Sequence, residues 1–110
     1  EDPCAIHGIM IMNKQIRAKQ KADWLRVYGS QQRVEFIQRL PSVVSGKSPC
    51  VNAHVRTGGT GRKADAHWIV PLTKAEHDEL HRGQLTFERK YKVNLLDLAV
   101  ATEQRWREAQ

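Results

Sequence analysis

The sequence predicts an α+β domain in which a short two-stranded hairpin runs directly into a helix, with further helices on both flanks. Three observations carry that expectation. Two short runs with strand character, Val51–Arg56 and Trp68–Pro71, are separated by a stretch with three glycines and no bulky apolar residue. Thr73-Lys74-Ala75-Glu76 follows at once and supplies a capping box, with Thr73 as N-cap and Glu76 reaching back to its amide. The flanking segments, by contrast, space their apolar residues as helices do.

Taken in order, residues 1–12 show no clear helical period and read as a tail. Asn13–Tyr28 is rich in long side chains with good helix propensity and ends at Gly29, so it reads as a helix. Gln31–Leu40 repeats the pattern with Val34, Phe36 and Ile37, and the chain must leave the helix at Pro41 because the residue before proline disfavours helical angles. Ser42–Pro49 reads as a loop with room for a short strand. In Val51–Arg56 alternation puts Val51, Ala53 and Val55 on one face and Asn52, His54 and Arg56 on the other. Trp68–Pro71 is the second strand, and a helix runs from Lys74 to Arg82 and stops at Gly83. Two amphipathic helices, Leu85–Tyr91 and Leu95–Trp106, complete the chain, the second opened by Asn94 and Asp97.

A chain of 110 residues can bury one core but not two, so the basic helices of 13–40, the central 41–83 and the helices of 84–110 are expected to form a single domain. No apolar stretch is long enough to cross a membrane and no secretory signal is evident, which points to the cytoplasm. Cys4 and Cys50 lie far apart, arguing against a disulfide framework and against a four-cysteine zinc site. Charge is uneven: from Lys14 to Lys63 eleven Lys or Arg oppose only Asp23 and Glu35, whereas from Ala64 onward seven basic residues oppose eight acidic ones. One basic half beside a neutral half suggests a face that follows a phosphate backbone.

His77 and His81, four apart on the short helix, place both rings on one face, where they can grip a single metal ion. By itself such a pair is as readily a polar helix surface. His54, on a strand separated from that helix by the glycine-rich segment, adds a third imidazole to the same strand, loop, strand, helix unit.

The string Pro49-Cys50-Val51-Asn52-Ala53-His54-Val55-Arg56-Thr57-Gly58-Gly59, then Gly61-Arg62-Lys63-Ala64-Asp65, Pro71-Leu72-Thr73, Glu76-His77 and His81-Arg82-Gly83-Gln84 resembles the HNH-type nucleases of phages and prophages. It is especially similar to a prophage family in which such a domain ends a longer protein, and the likeness extends from about Val34 to Leu98. The resemblance implies a ββα-metal core that hydrolyses DNA phosphodiester bonds without sequence preference. It makes His54 the general base on the attacking water, His77 and His81 the ligands of one divalent metal, and Asp65 a residue that orients the base or supports the metal. Phage or host recombination proteins become candidate partners. Mg²⁺ or Mn²⁺ is the expected ion, with Zn²⁺ or Ni²⁺ as alternatives.

The chain departs from the family in three places. Colicin-type relatives have a metal-binding Asp or His immediately before the base, where this chain has Ala53; Asp65 is the first substitute and His67 the second. The positions of a four-cysteine structural zinc in many relatives look like Ser42, Ser45, Cys50 and Thr73, so no structural zinc is expected. Glu76 replaces the first histidine of a His-His pair, and its capping role explains it without metal. Arg56 shares the His54 face and is either a clamp on the scissile phosphate or an ordinary hairpin arginine. Arg62 and Lys63 in the glycine loop, with Lys14, Arg17 and Lys21 on the first helix, are the candidate contacts to flanking phosphates. Trp68 fits core packing better than base stacking, and the alternative to an enzyme is a non-catalytic nucleic-acid-binding module.

Overall fold

The computed structural model describes residues 17–56 and 65–110. The expectations for the 1–12 tail, Lys14, Arg62 and Lys63 lie outside the described residues. The order is helix α1 (17–28), α2 (Gln31–Arg39), strand β1 (Val51–His54), a 3-10 turn (Ala66–Trp68), β2 (Ile69–Leu72), α3 (Lys74–His81), α4 (Gln84–Tyr91) and α5 (Leu95–Glu108). The fold is α+β, as the sequence predicts, with one antiparallel pair in which Val51 faces Leu72 and His54 faces Ile69.

Local chemistry sets each helix boundary. The Ser30 hydroxyl caps α2 by accepting from Arg33 N, and the full Thr73–Glu76 capping box opens α3. Asn94 accepts from Asp97 N at the start of α5. Between α1 and α2 the chain turns at Gly29, whose φ of +89° is in the left-handed region. A Cβ there would lie 2.6 Å from Arg33 Cδ, so glycine is required by both the backbone angle and the close approach.

Packing uses both faces of the hairpin. Ala53 and Val55 from the β1 side join Val70, Leu72, Leu80, Phe87, Leu95 and Ala99 in the core that α3, α4 and α5 close, with Trp68 packed at its edge. The opposite face meets α2 and α1: Asn52 Nδ2 donates to Val34 O at 3.1 Å, and the His54 ring reaches the Val27 carbonyl. With layers on both sides, all four residues of β2 are buried. The first boundary of β2 differs from the sequence expectation, because Trp68 ends a 3-10 turn whose N-cap, Asp65, accepts from His67 N. Ser42–Pro49 is a loop, tied to the hairpin by Val43 N donating to Pro71 O. No helix among the described residues is long and apolar enough to cross a membrane.

Candidate functional site

His77 and His81 occupy the face of α3 beside the one that buries Glu76 and Leu80. Their Nε2 atoms lie 3.0 Å apart and their ring centroids 4.4 Å apart. Two nitrogens sharing an ion at about 2.0–2.1 Å each would sit about 2.8–3.4 Å apart at octahedral or tetrahedral angles. The pair therefore matches the bite of one cation, and without an ion the same separation is an N–H···N hydrogen bond. Among the described residues, no group of three His, Cys, Asp or Glu side chains is close enough together to hold a metal. Asp65 and His67, the substitutes for the ligand lost at Ala53, thus do not join the pair in such a group.

His54 is half-buried, with Nε2 2.7 Å from the Val27 carbonyl oxygen in the last turn of α1. A carbonyl only accepts, so Nε2 donates and the lone pair of the neutral ring is on Nδ1. The Tyr28 ring meets the imidazole edge-on at 5.1 Å, restricting its rotation. Neither contact is legible in the alternation of β1, since both come from a helix more than twenty residues earlier.

The chain just past β1 is tied to the start of α4. Arg56 N donates to Gln84 Oε1 at 2.7 Å and its carbonyl accepts from Gln84 Nε2 at 3.1 Å, while the arginine itself is exposed. The turn after α3 thus lies beside the chain that leaves β1, while His54 itself sits on the opposite face of the hairpin, against α1. Arg17 and Lys21 are exposed on α1.

Ser42 and Thr73 form a hydrogen-bonded knot around Glu76. Its Oε1 accepts from Ser42 Oγ at 2.6 Å and from Thr73 N at 2.9 Å, and Cys50 Sγ bonds the Lys47 carbonyl. Burial pushes the Glu76 carboxyl upward, but hydrogen bonds from Ser42, Ser45 and Thr73 outweigh it and hold the group below its ordinary range. Burial, helped by the Glu76 charge, pushes the Cys50 thiol up, so it stays a thiol. Since the folded carboxyl titrates below the unfolded one, its contribution is present above the unfolded value near 4.3 and is lost as pH falls through the folded value. Glu76→Gln is expected to lower stability at neutral pH and to flatten the acid limb, read as urea midpoints from about pH 6 down to pH 3. An acid limb as steep as the parent's would show that Glu76 is not the titrating group.

Asp65 lies apart from the histidine pair. Its Oδ1 accepts from His67 N at 3.0 Å and faces His67 Nδ1 at 3.2 Å, and His67 Nε2 stands 4.0 Å from Glu103 Oε1. Beneath them the buried Arg33 joins three elements: it pairs with Glu103 of α5 at 2.8 Å and donates from Nη2 to the Ala66 carbonyl. Burial draws the Arg33 guanidinium below its usual range and the Glu103 charge partly restores it. Arg33 escapes a reading based on apolar periodicity, although its place at i relative to Ile37 and Leu40 at i+4 and i+7 was a signal that it faces inward.

A family model described as a protein of unknown function, DUF968, matches residues 16–104. No curated protein and no solved structure matches the chain.

Proposed function

We propose that this chain, which belongs to the DUF968 family, is a metal-dependent phosphodiester hydrolase acting on DNA, with a ββα-metal core formed by β1, β2 and α3. The observation that carries the reading is the His77–His81 pair, whose nitrogens stand at the bite of one ion on a helix that follows the hairpin bearing His54. Resemblance to HNH nucleases over Val34–Leu98 and the basic balance of Lys14–Lys63 support it.

His77 and His81 would hold one divalent cation, with water in the remaining positions. The resemblance implies Mg²⁺ or Mn²⁺, which prefer oxygen donors, whereas two imidazole ligands suit the alternatives Zn²⁺ or Ni²⁺ better. When bound, such an ion supplies Lewis-acid charge at a phosphate oxygen and at the leaving oxygen. His54 takes the proton of the attacking water on Nδ1, while its Nε2–H keeps the bond to the Val27 carbonyl, a bond that strengthens as the ring becomes charged. Arg56, exposed two residues past β1, would contact a phosphate beside the one being cut. Arg17 and Lys21, with Lys14, Arg62 and Lys63, contribute the salt-sensitive part of DNA affinity.

A plasmid-nicking assay across Mg²⁺, Mn²⁺, Ni²⁺ and Zn²⁺ with a chelator control tests the activity. Calorimetric titration with Zn²⁺ and Mn²⁺ tests the ligands separately: His81→Ala is expected to weaken binding at least about tenfold, as loss of one of two imidazoles should. Equal metal affinity in parent and His81→Ala would remove the proposed centre. The absence of a third close donor among the described residues favours a second reading, a non-catalytic DNA-binding module. Tight DNA binding by the metal-loaded protein with no nicking under any of the four ions would select it.

A further inference from the structure

Residues 17–23, the outer two turns of α1, are all exposed, whereas the inner end of the helix is anchored: Val27 is buried, and the half-buried Trp24 and Tyr28 rings meet at 5.6 Å. At about 100° per residue Trp24, Val27 and Tyr28 share one side of α1, the side that faces the body. On the outer turns the side turned away from the body is Ala18 and Ala22, and Leu25, 44% exposed, continues it inward. Lys21 stands about 80° round from that outward edge on one flank and Lys19 about 80° round on the other, with Arg17 beside Lys21. Asp23 is the one acidic residue of these turns and lies further round toward the body.

Cations on both flanks of an outward edge discriminate between ways of meeting a phosphate backbone. A helix laid along one strand uses the cations of one side, here Arg17 and Lys21, and leaves Lys19 turned away. A helix seated in a groove has a row of phosphates on each flank, and both flanks then carry the complementary charge. The sizes agree, since a helix with its side chains is about 10–12 Å across and the major groove of B-form DNA is about 12 Å wide. Alanines at the outward edge let the helix approach the base pairs closely, and an aliphatic side chain such as Leu25 suits the thymine methyl that lines the same groove. A-form RNA offers no such site, its major groove being too deep and narrow for side chains to read.

We infer that the outer turns of α1 seat in the major groove of duplex DNA, with Ala18 and Ala22 toward the base pairs and Lys19 and Lys21 toward the phosphates of opposite strands. The inference rests on the proposed DNA-directed function and narrows its substrate to the B-form duplex. Seven residues, about 10 Å of helix, separate Lys21 from Tyr28, which with the Val27 carbonyl holds His54. The docking surface therefore leads along α1 toward the proposed general base.

The test is metal-free, in chelator, so that it does not depend on cleavage. Anisotropy measures the affinity of the full chain for a short DNA duplex, for one of its strands and for the RNA duplex of the same sequence, each over a range of salt. The parent is expected to bind the DNA duplex at least about tenfold more tightly than the other two. Lys19→Gln and Lys21→Gln, exposed changes to a good helix former, are each expected to flatten the slope of log affinity against log salt by about 1, the loss of one phosphate contact. Arg89→Gln, which removes the same charge from the exposed face of α4, should leave the slope at the parental value. A slope flattened by Lys21→Gln but not by Lys19→Gln, an equal effect of Arg89→Gln, or a single strand or RNA duplex bound as tightly as the DNA duplex overturns the groove assignment and leaves the DNA reading standing. Failure of the parent to bind any of the three overturns both.

Discussion

Replacing His54 with alanine is expected to slow DNA cleavage by about 10²–10⁴-fold while leaving DNA affinity unchanged, the signature of a lost proton acceptor. The fold should tolerate the change. His54 is half-buried on the α1 side of the hairpin, outside the core formed by Ala53, Val55, Val70 and Leu72, and it loses one hydrogen bond to a backbone carbonyl, worth about 1 kcal/mol. His81→Ala should also suppress cleavage, but through metal affinity, so excess metal should restore part of it. No such rescue is expected for His54→Ala. Cleavage by His54→Ala at the parental rate, under ions that activate the parent, would remove His54 from the chemistry. Tyr28→Leu supplies an intermediate test: it removes the edge-on contact to the imidazole and keeps the Val27 carbonyl, so kcat should fall while metal binding holds.

The largest stability effect is expected at Arg33. Arg33→Ala should destabilise the protein by about 3 kcal/mol, near the lower end for a broken buried ion pair. The lower end applies because the Glu103 side chain keeps 15% exposure, against 4% for that of Arg33. Truncation also strands the Ala66 carbonyl and opens space beside Gly29, where Arg33 Cδ now packs. Since a domain of this size is stable by only about 5–15 kcal/mol, the variant should unfold at much lower urea. Arg33→Ala combined with Glu103→Gln should recover part of the loss, because the second change discharges a part-buried carboxylate left to the exposed Arg107. A loss under about 1 kcal/mol, the range of an exposed pair, would mean that Arg33 and Glu103 act as a surface contact.

Much of this architecture is local and was legible. Alternation in Val51–Arg56 put Ala53 and Val55 on one face and His54 on the other, and the capping box at Thr73–Glu76 and the Asn94–Asp97 cap set the starts of α3 and α5. These are decided by residues within four positions of one another, where side-chain spacing and backbone hydrogen bonding leave few choices. The same spacing brought His77 and His81 together, because an i, i+4 pair on a helix has no other arrangement available.

What the amino-acid sequence determined by itself is the α+β class, the order of its main elements, the two faces of Val51–Arg56 and the paired imidazoles on α3. Only the tertiary structure decided which residues those groups meet. Asp65, a candidate ligand by its place in the loop, is held instead as the cap of the 3-10 turn beside His67, whose ring stands near Glu103 of α5. His54 takes its tautomer from Val27, and Arg33 becomes the buried link between α2, the 3-10 turn and α5. The reason is physical: such partners are chosen by which helix faces close over the hairpin, and that depends on burying Ile37, Ile69, Phe87 and Leu95 together, an energy spread over the whole chain rather than over any one motif.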